Sequence, residues 1–414
     1  MRILYLAQIV PYPLDSGARV RQYHMLQYLA RRHEVTLVCF SRPSDRLASI
    51  EHLRTLCRDV HTAPMSRGPA SEAVGMARSL ITSQPFNIVR DDRRAMKLLL
   101  SELVQRQAFD VIHADQLSMA QYGLWARRQT PVTRTVKMTL DAHNAYYLIP
   151  QRMADVARNP LMKLFLRREA SLTAQYESRV YRQFDDVLTV TDEDLASIRR
   201  LPGLNGRAPR FTTVPICVDA SSPPVARRPG ARGLLMLGGL HWPPNADATR
   251  WFAAEIWPLV RAQAPDARLF IVGARPSDDI RALGDYVGIR HPDQAGDSPI
   301  VVTGYVDDAM PFLEESAMLL VALRSGGGMR VKIVEALQWG LPIVTTRIGC
   351  EGIAVSDGYD ALIADDARTF AQSAIRLLRD RTFADRLSAN GRQLVVQKYD
   401  WRSAYTALDA IYAP

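Results

Sequence analysis

Ser325-Gly-Gly-Gly-Met-Arg-Val-Lys-Ile-Val-Glu-Ala-Leu-Gln-Trp-Gly-Leu-Pro-Ile-Val344 carries three signals in one stretch. Gly326, Gly327 and Gly328 form a loop without side chains, Met329–Trp339 has helical character, and Gly340 supplies a left-handed stop before Leu341-Pro342 and a short strand at Ile343–Thr346. A helix that starts in a glycine loop presents bare N–H groups and its positive dipole end, which is a phosphate site. Arg330 and Lys332 put two cations on that first turn, where an isolated helix disfavours them; an anion at the tip would resolve the conflict. Glu335, three residues after Lys332, projects to the same side. One turn can then hold a diphosphate at its tip and a pair of ribose hydroxyls at Glu335. The competing reading is a glycine-rich turn feeding a core helix, with both cations solvated. Only five of the 52 basic residues are lysines, which favours a specific use of Lys332.

Chain length and composition bound the rest. A chain of 414 residues predicts two domains, and 47% hydrophobic with 23% charged residues is the balance of a globular protein with a full core. Cys39, Cys57, Cys217 and Cys350 are scattered without a Cys-x-x-Cys pair or an accompanying histidine, so they read as buried thiols in a reducing compartment, with no metal site. The apolar start, Met1–Val10, meets Pro11 and Pro13 without a cleavage signal and reads as a strand. No apolar run is long enough for a transmembrane helix. With the reducing compartment read from the cysteines, the expected location is the cytoplasm or the inner face of the cytoplasmic membrane.

The net charge of +9 is unevenly spread. Residues 1–220 hold 31 Lys and Arg against 21 Asp and Glu, and residues 221–414 hold 21 against 22. A basic first half suits an anionic partner, either a membrane surface or a phosphorylated acceptor, or is simply a solvated basic surface. Nucleic acid fits the sign, but no recognition motif and no aromatic–basic interleaving accompanies it.

Along the chain, apolar runs alternate with helical segments, the pattern of a parallel sheet covered on both faces. Arg2–Ala7, a turn-rich loop through Gly17, a helix Ala18–Arg32 and a strand Glu34–Phe40 make a βαβ unit without the Gly-x-Gly-x-x-Gly of a dinucleotide site, which argues against a nicotinamide oxidoreductase. Phe86–Leu100 mixes basic and large apolar residues and suits either a membrane surface or a helix packing its leucines on the sheet. The runs Val111–Asp115 and Thr135–Asp141 lead into polar residues, which puts His113 and His143 near the carboxyl ends of strands, where ligands bind in open α/β sheets. Asn159–Gln183 reads as a long scaffold helix with alternating charge, and Thr191 or Asp192 as the cap of the next. Ser221–Gly233, rich in proline, glycine and arginine, reads as a linker. The second half then repeats the alternation: Leu234–Leu237, a loop Gly238–Asn245, a helix from about 246 to 262, and strands at Arg268–Val272, Ile300–Thr303 and Met318–Ala322.

The chain resembles the family 4 retaining glycosyltransferases of GT-B fold. Glu335-Ala336, Gly340-Leu341-Pro342 and Val344 match the second half of their Glu-x7-Glu signature, while the first glutamate's place is Gly327. The pattern Gly328-x-Arg330-x-Lys332-x-x-Glu335 resembles a subgroup of that family. The resemblance implies two Rossmann-like domains facing across a cleft. The expected boundaries are 1–220 for a basic acceptor domain, 221–233 for the linker, 234–398 for the nucleotide-sugar domain, and 399–414 for a helix crossing back to the first domain. It implies a UDP- or GDP-sugar donor, a glycan or polyprenyl-diphosphate acceptor in cell-surface polysaccharide assembly, no cofactor and no metal. Glu335 would hold the donor ribose. Gly327, Gly328, Met329, Arg330 and Lys332 would hold the diphosphate, and Gly238, Gly304 and Val306, with Gly273 nearby, would line the nucleotide pocket. Asp-Ala-His143-Asn looks like the family's catalytic histidine element. Gly17 would approach donor or acceptor, with Asp15, Arg19 and His113 as further cleft candidates. Many family members carry an arginine after the glycine of the Gly238 loop and a lysine about six residues on. Here those places are Gly239 and Asn245, so Arg330 and Lys332 are expected to supply the charge. A nucleotide-sugar epimerase and a non-catalytic partner of the same fold are the remaining alternatives.

Overall fold

Alternate residues of the first strand face two separate cores. In a computed structural model of the chain, Leu4 and Leu6 join one buried cluster while Ile3, Tyr5 and Ala7 join another. An apolar run covered on both faces is what a central parallel strand requires. The structure describes residues 1–157, 159–204, 208–284 and 291–413, with the Val156 side chain left aside.

The chain forms two compact units: Met1–Cys217 with Trp401–Pro414, and Val218–Asp400. The first is built on β1 (Arg2–Ala7), β2 (Glu34–Ser41), β3 (Asp59–Pro64), β4 (Val111–Asp115), β5 (Lys137–Asp141), β6 (Asp186–Thr189) and β7 (Arg210–Thr213). They make one parallel sheet in the order β3-β2-β1-β4-β5-β6-β7. The second unit holds β8 (Gly233–Leu237), β9 (Arg268–Val272), β10 (Ile300–Gly304), β11 (Ser316–Val321), β12 (Ile343–Thr345) and β13 (Leu362–Ile363), also parallel, in the order β10-β9-β8-β11-β12-β13. Strand order reverses between β1 and β4 in one unit and between β8 and β11 in the other, and loops leaving such switch points are where ligands bind.

The end of the chain belongs to the first unit. Trp401, Tyr405, Leu408, Ile411 and Tyr412 are almost wholly buried in the cluster around Tyr5 and Leu37. Each large apolar side chain buried this way contributes roughly 1.5–3 kcal/mol. The helix expected here is short, Trp401–Ala404 followed by a 3-10 turn, Tyr405–Leu408.

Three further expectations change. The 221–233 stretch is docked on the second unit instead of running free: Val225 is buried and donates its N–H to the Trp339 carbonyl, and Arg227 pairs with Asp385 at 2.8 Å. One apolar anchor and arginines with nearby acids are enough to hold a segment without periodicity. The basic stretch after Phe86 splits into helices Phe86–Arg90 and Arg94–Arg106, and Met96, Leu100, Leu103 and Val104 of the second pack into the core. The helix expected over 246–262 spans Pro243–Gln263 with a π turn at Phe252–Ile256, next to Pro258, which has no N–H to donate. Among the described residues no helix is long and apolar enough to cross a membrane.

Candidate functional site

In the second unit, the loops after β8 and β11 flank the switch point. The glycine loop takes left-handed backbone at Gly326 (φ 118°) and Gly328 (φ 80°), and the helix runs Val331–Gln338. Gly340 (φ 71°) ends it, with Gly340 N–H on the Leu337 carbonyl and Leu341 N–H on that of Ala336. Among the described residues the N–H groups of Gly327, Gly328 and Met329 donate to nothing. The Arg330 guanidinium turns back to the Gly327 and Gly328 carbonyls, so in this conformation it braces the loop and is not directed outward.

Lys332 reaches the loop after β8. Its Nζ donates to the Leu237 carbonyl at 2.8 Å and to Asn245 Oδ1 at 3.1 Å, while Asn245 Nδ2 donates to the Gly239 carbonyl at 3.0 Å. A Cβ on Gly238 would lie 3.0 Å from that amine. The ammonium therefore sits where the sequence leaves Gly239 and Asn245 uncharged. Burial, with Arg330 nearby, pulls Lys332 down to about 8 against the opposing pull of Glu335. Burial lifts Glu335 to about 7 despite Lys332, and its carboxylate makes no hydrogen bond among the described residues. Gly238 (φ 140°) and Gly304 (φ 80°) are left-handed, and Gly273 donates to the Gly304 carbonyl. A Cβ on Gly273 would fall 1.8 Å from the Gly238 carbonyl oxygen, so only glycine allows these loops to touch. Val306 lies two residues past β10, half-buried.

The first unit holds a buried polar cluster at the ends of β4 and β5. His143 lies two residues past β5 at φ 49°, strained for a non-glycine residue. Its Nε2 is 2.9 Å from Asp115 Oδ1 and 3.7 Å from Asp141 Oδ2. Burial disfavours the imidazolium, but Asp115 and then Asp141 outweigh it and raise the His143 pKa. Asp141 accepts a two-pronged bond from Arg21, Nε at 2.7 Å and Nη2 at 2.9 Å; burial would raise this carboxyl, and the Arg21 charge holds it below its ordinary value. Arg21 Nη1 also donates to the carbonyls of Val214 and Pro215. Asp115 takes bonds from Gln22 and the Tyr5 hydroxyl. The loop carrying His143 is pinned by two more acids: Asp194 accepts from Ala145 N–H, and Glu177 from Tyr146 and Tyr147 N–H. Glu177, on the helix read as a scaffold of alternating charge, is fully buried and lifted to about 7 by that burial. Thr191 supplies the cap expected of it or Asp192, accepting from Asp194 N–H.

Two expectations need correction. His113 is not open to an acceptor. It lies inside β4, stacked on Tyr5 at 4.4 Å with Nδ1 2.5 Å from the Tyr412 hydroxyl, and burial pushes it down to about 4. Asp15 and Arg19 pair with each other at 2.7 Å, and Arg19 also holds the Val10 carbonyl and Asp45. Gly17 opens its helix without a left-handed φ. Arg21, Gln22 and Glu177 were not singled out as site residues from the sequence. The available signal was a helix, Gly17–Leu29, whose polar and apolar residues do not segregate. His113, Asp115 and Asp141 bring ligand atoms within 4.8 Å of one another, a possible cation cluster by spacing, but the Arg21 guanidinium already neutralises Asp141 there.

Two parallel doubly wound sheets, the second with a glycine loop and lysine at its switch point, define a GT-B fold. Family models match both units: a glycosyl transferase 4-like domain over residues 16–217 and glycosyl transferases group 1 over residues 231–380. The chain belongs to the GT-B glycosyltransferases. It is 19% identical over 413 residues to an uncharacterized 44.6 kDa protein in the cps region of Klebsiella pneumoniae, covering 98% of each chain. Among solved structures it is similar to a sucrose-phosphate synthase from Thermosynechococcus elongatus (TM-score 0.66, 18% identity, 100% of this chain and 98% of that one). It is also similar to Anabaena HepE in complex with UDP-glucose (TM-score 0.63, 12% identity, 100% of both chains).

Proposed function

We propose that the chain transfers a sugar from a UDP- or GDP-sugar to a glycan or lipid-linked acceptor, with retention at the anomeric carbon, in cell-surface polysaccharide assembly. The observation that carries this reading is the second unit's loop: three N–H groups at Gly327–Met329 and a Glu335 carboxylate that have no partner among the described residues, with the Lys332 ammonium beside Gly238. In this reading the N–H groups and Lys332 bind the diphosphate, and they stabilise the negative charge that grows on it as the sugar departs. Arg330 shapes the loop and joins the anion once the loop carbonyls release it. Glu335 accepts the ribose hydroxyls, and Gly304 and Val306 offer backbone groups to the base. His143 is the catalytic residue of the first unit, oriented by Asp115 and Asp141. Gly327 leaves no carboxylate to form a covalent sugar intermediate, which favours front-face attack with the leaving phosphate taking the acceptor proton. Charge stabilisation by this loop requires no metal. The reading is supported by a relative named for a cps region and by a structural neighbour that binds UDP-glucose. A site in the cytoplasm, at the inner membrane face, would suit a lipid-linked acceptor.

Calorimetric titration of UDP, GDP and NAD into the wild type and Glu335→Ala tests it. UDP or GDP should bind, NAD should not, and Glu335→Ala should weaken the nucleotide. Binding indifferent to Glu335 would remove the donor site from this loop.

A further inference from the structure

Five strands of the first unit lead to one cavity of about 200 Å³. Gln8 follows β1, Arg42 follows β2, Arg67 follows β3, Ser118 follows β4 and Tyr146 follows β5, with Arg90 and Asp91 closing the wall. Convergence of strand ends on a cavity is the usual position of a ligand in such a sheet.

The polar groups in this wall are unequally satisfied. Asp91, 1% exposed, accepts from Gln8 at 3.0 Å, from Arg67 at 2.6 and 3.2 Å, and from Arg90 at 3.1 and 3.4 Å. Two guanidiniums and an amide therefore share one carboxylate, and Arg42 adds a third cation to the wall. Glu72, 3.7 Å from Arg90, offsets part of that excess, but not at Arg42. Among the described residues the Arg42 side chain has no hydrogen bond or ion pair; its neighbour Asp45 is engaged by Arg19 and by the Arg42 N–H. Burial, then the like charge of Arg67, lower the Arg42 pKa against the weaker opposing pull of Asp45 and Asp91, so the cation stands at a cost that a further anion would reduce. Ser118, only 7% exposed, has a buried Oγ without a partner, and the Tyr146 hydroxyl is also unpaired among the described residues.

We propose that this cavity receives the phosphate or diphosphate group of the glycosyl acceptor, with Arg42 as its principal cation and Ser118 and Tyr146 as hydroxyl donors. The acceptor role rests on the glycosyltransferase reading above. Phosphate fits better than carboxylate because it brings nearly two negative charges and three acceptor oxygens to a wall with excess cations and two spare hydroxyls. Tyr146 is three residues past His143 on the same pinned loop, so the acceptor's anion is held by the segment that carries the catalytic residue.

The test is calorimetry on the full chain with saturating UDP, so that the Lys332 loop is filled, using inorganic pyrophosphate, farnesyl diphosphate and glucuronate as probes. Arg42→Gln should weaken pyrophosphate at least about tenfold. Arg42→Lys should recover part of the loss, and Ser118→Ala should cost a few-fold. UDP affinity should stay unchanged in all three variants. Among the described residues the Arg42 side chain makes no bond, so Arg42→Gln should fold normally, and unchanged UDP binding would confirm it. Farnesyl diphosphate binding more tightly than pyrophosphate, with the same Arg42 dependence, would identify a lipid-linked source; equal binding would support the anion alone. Pyrophosphate binding indifferent to Arg42, or Arg42-dependent binding of glucuronate alone, would overturn the proposal. If neither UDP nor GDP bound while pyrophosphate binding still depended on Arg42, the anion site would stand and its acceptor role would fall.

Discussion

The two units handle charge in opposite ways. At the switch point of the first, Arg21, Asp141, Asp115, Gln22 and Tyr5 are buried and bonded to one another, with His143 at the edge of the network. At the switch point of the second, among the described residues, the Gly327–Met329 N–H groups lack acceptors, Glu335 is unpaired, and Lys332 donates to two neutral oxygens. The first arrangement fixes a side chain in place by spending its polar groups on each other. The second keeps its polar groups available and relies on glycine for shape. Substitutions in the first should therefore act mainly on stability, and those in the second mainly on binding.

The largest expected effect is at Asp141. Asp141→Ala strands the Arg21 guanidinium, which cannot deprotonate, in a site with no exposed surface. Breaking a buried pair in this way costs about 3–5 kcal/mol. A fall of that size in unfolding free energy, read as a lower denaturant midpoint at constant slope, is expected, and a loss below about 1 kcal/mol would show the network to be solvated. Glu335→Ala is the counterpart in the second unit. It should leave the unfolding midpoint nearly unchanged and weaken UDP or GDP about 10- to 100-fold, the value of hydrogen bonds to a charged group. A large stability loss there would erase the contrast between the units.

Much of this contrast was legible in the sequence for the second unit and little of it for the first. Gly326–Gly328, Gly340 and Pro342 mark backbone events, and backbone events are local. Lys332 was identifiable by its rarity, although its bond to the Leu237 carbonyl spans 95 residues and no periodicity announces it. In the first unit the histidines show the limit. His113 and His143 both sit near polar strand ends, but His113 lies two residues inside the end of β4, whereas His143 lies two residues past the end of β5, in the loop. The side of the strand end on which each falls decides between a core histidine held by Tyr412 and a loop histidine beside Asp115. Arg21 and Glu177 were missed for a related reason. A charge on a helix is ordinarily solvated, and only the fold brings Asp141 to one and the Tyr146 and Tyr147 N–H groups to the other.

The smallest expected effect is a pH dependence confined to the second unit. Lys332 is held at about 8, so its charge is present below that pH and is lost as pH rises through it. Nucleotide diphosphate affinity should therefore decline above pH 8, by no more than about tenfold for one cation. Glu335, at about 7, is ionised above that value and protonated below it, so a carboxylate-dependent ribose contact should weaken as pH falls through 7. Affinity is then greatest between the two values, where both charges coexist. Glu335→Gln should flatten the acid limb and leave the alkaline one, and Lys332→Met should do the reverse. A bound diphosphate favours the Lys332 cation, so UDP should carry the alkaline limb to higher pH in the complex, and proton uptake should accompany binding near pH 8.5. Calorimetry in two buffers of different ionisation heat measures that uptake directly. If none is found, the ammonium does not reach the diphosphate and its bonds to Leu237 and Asn245 are only structural.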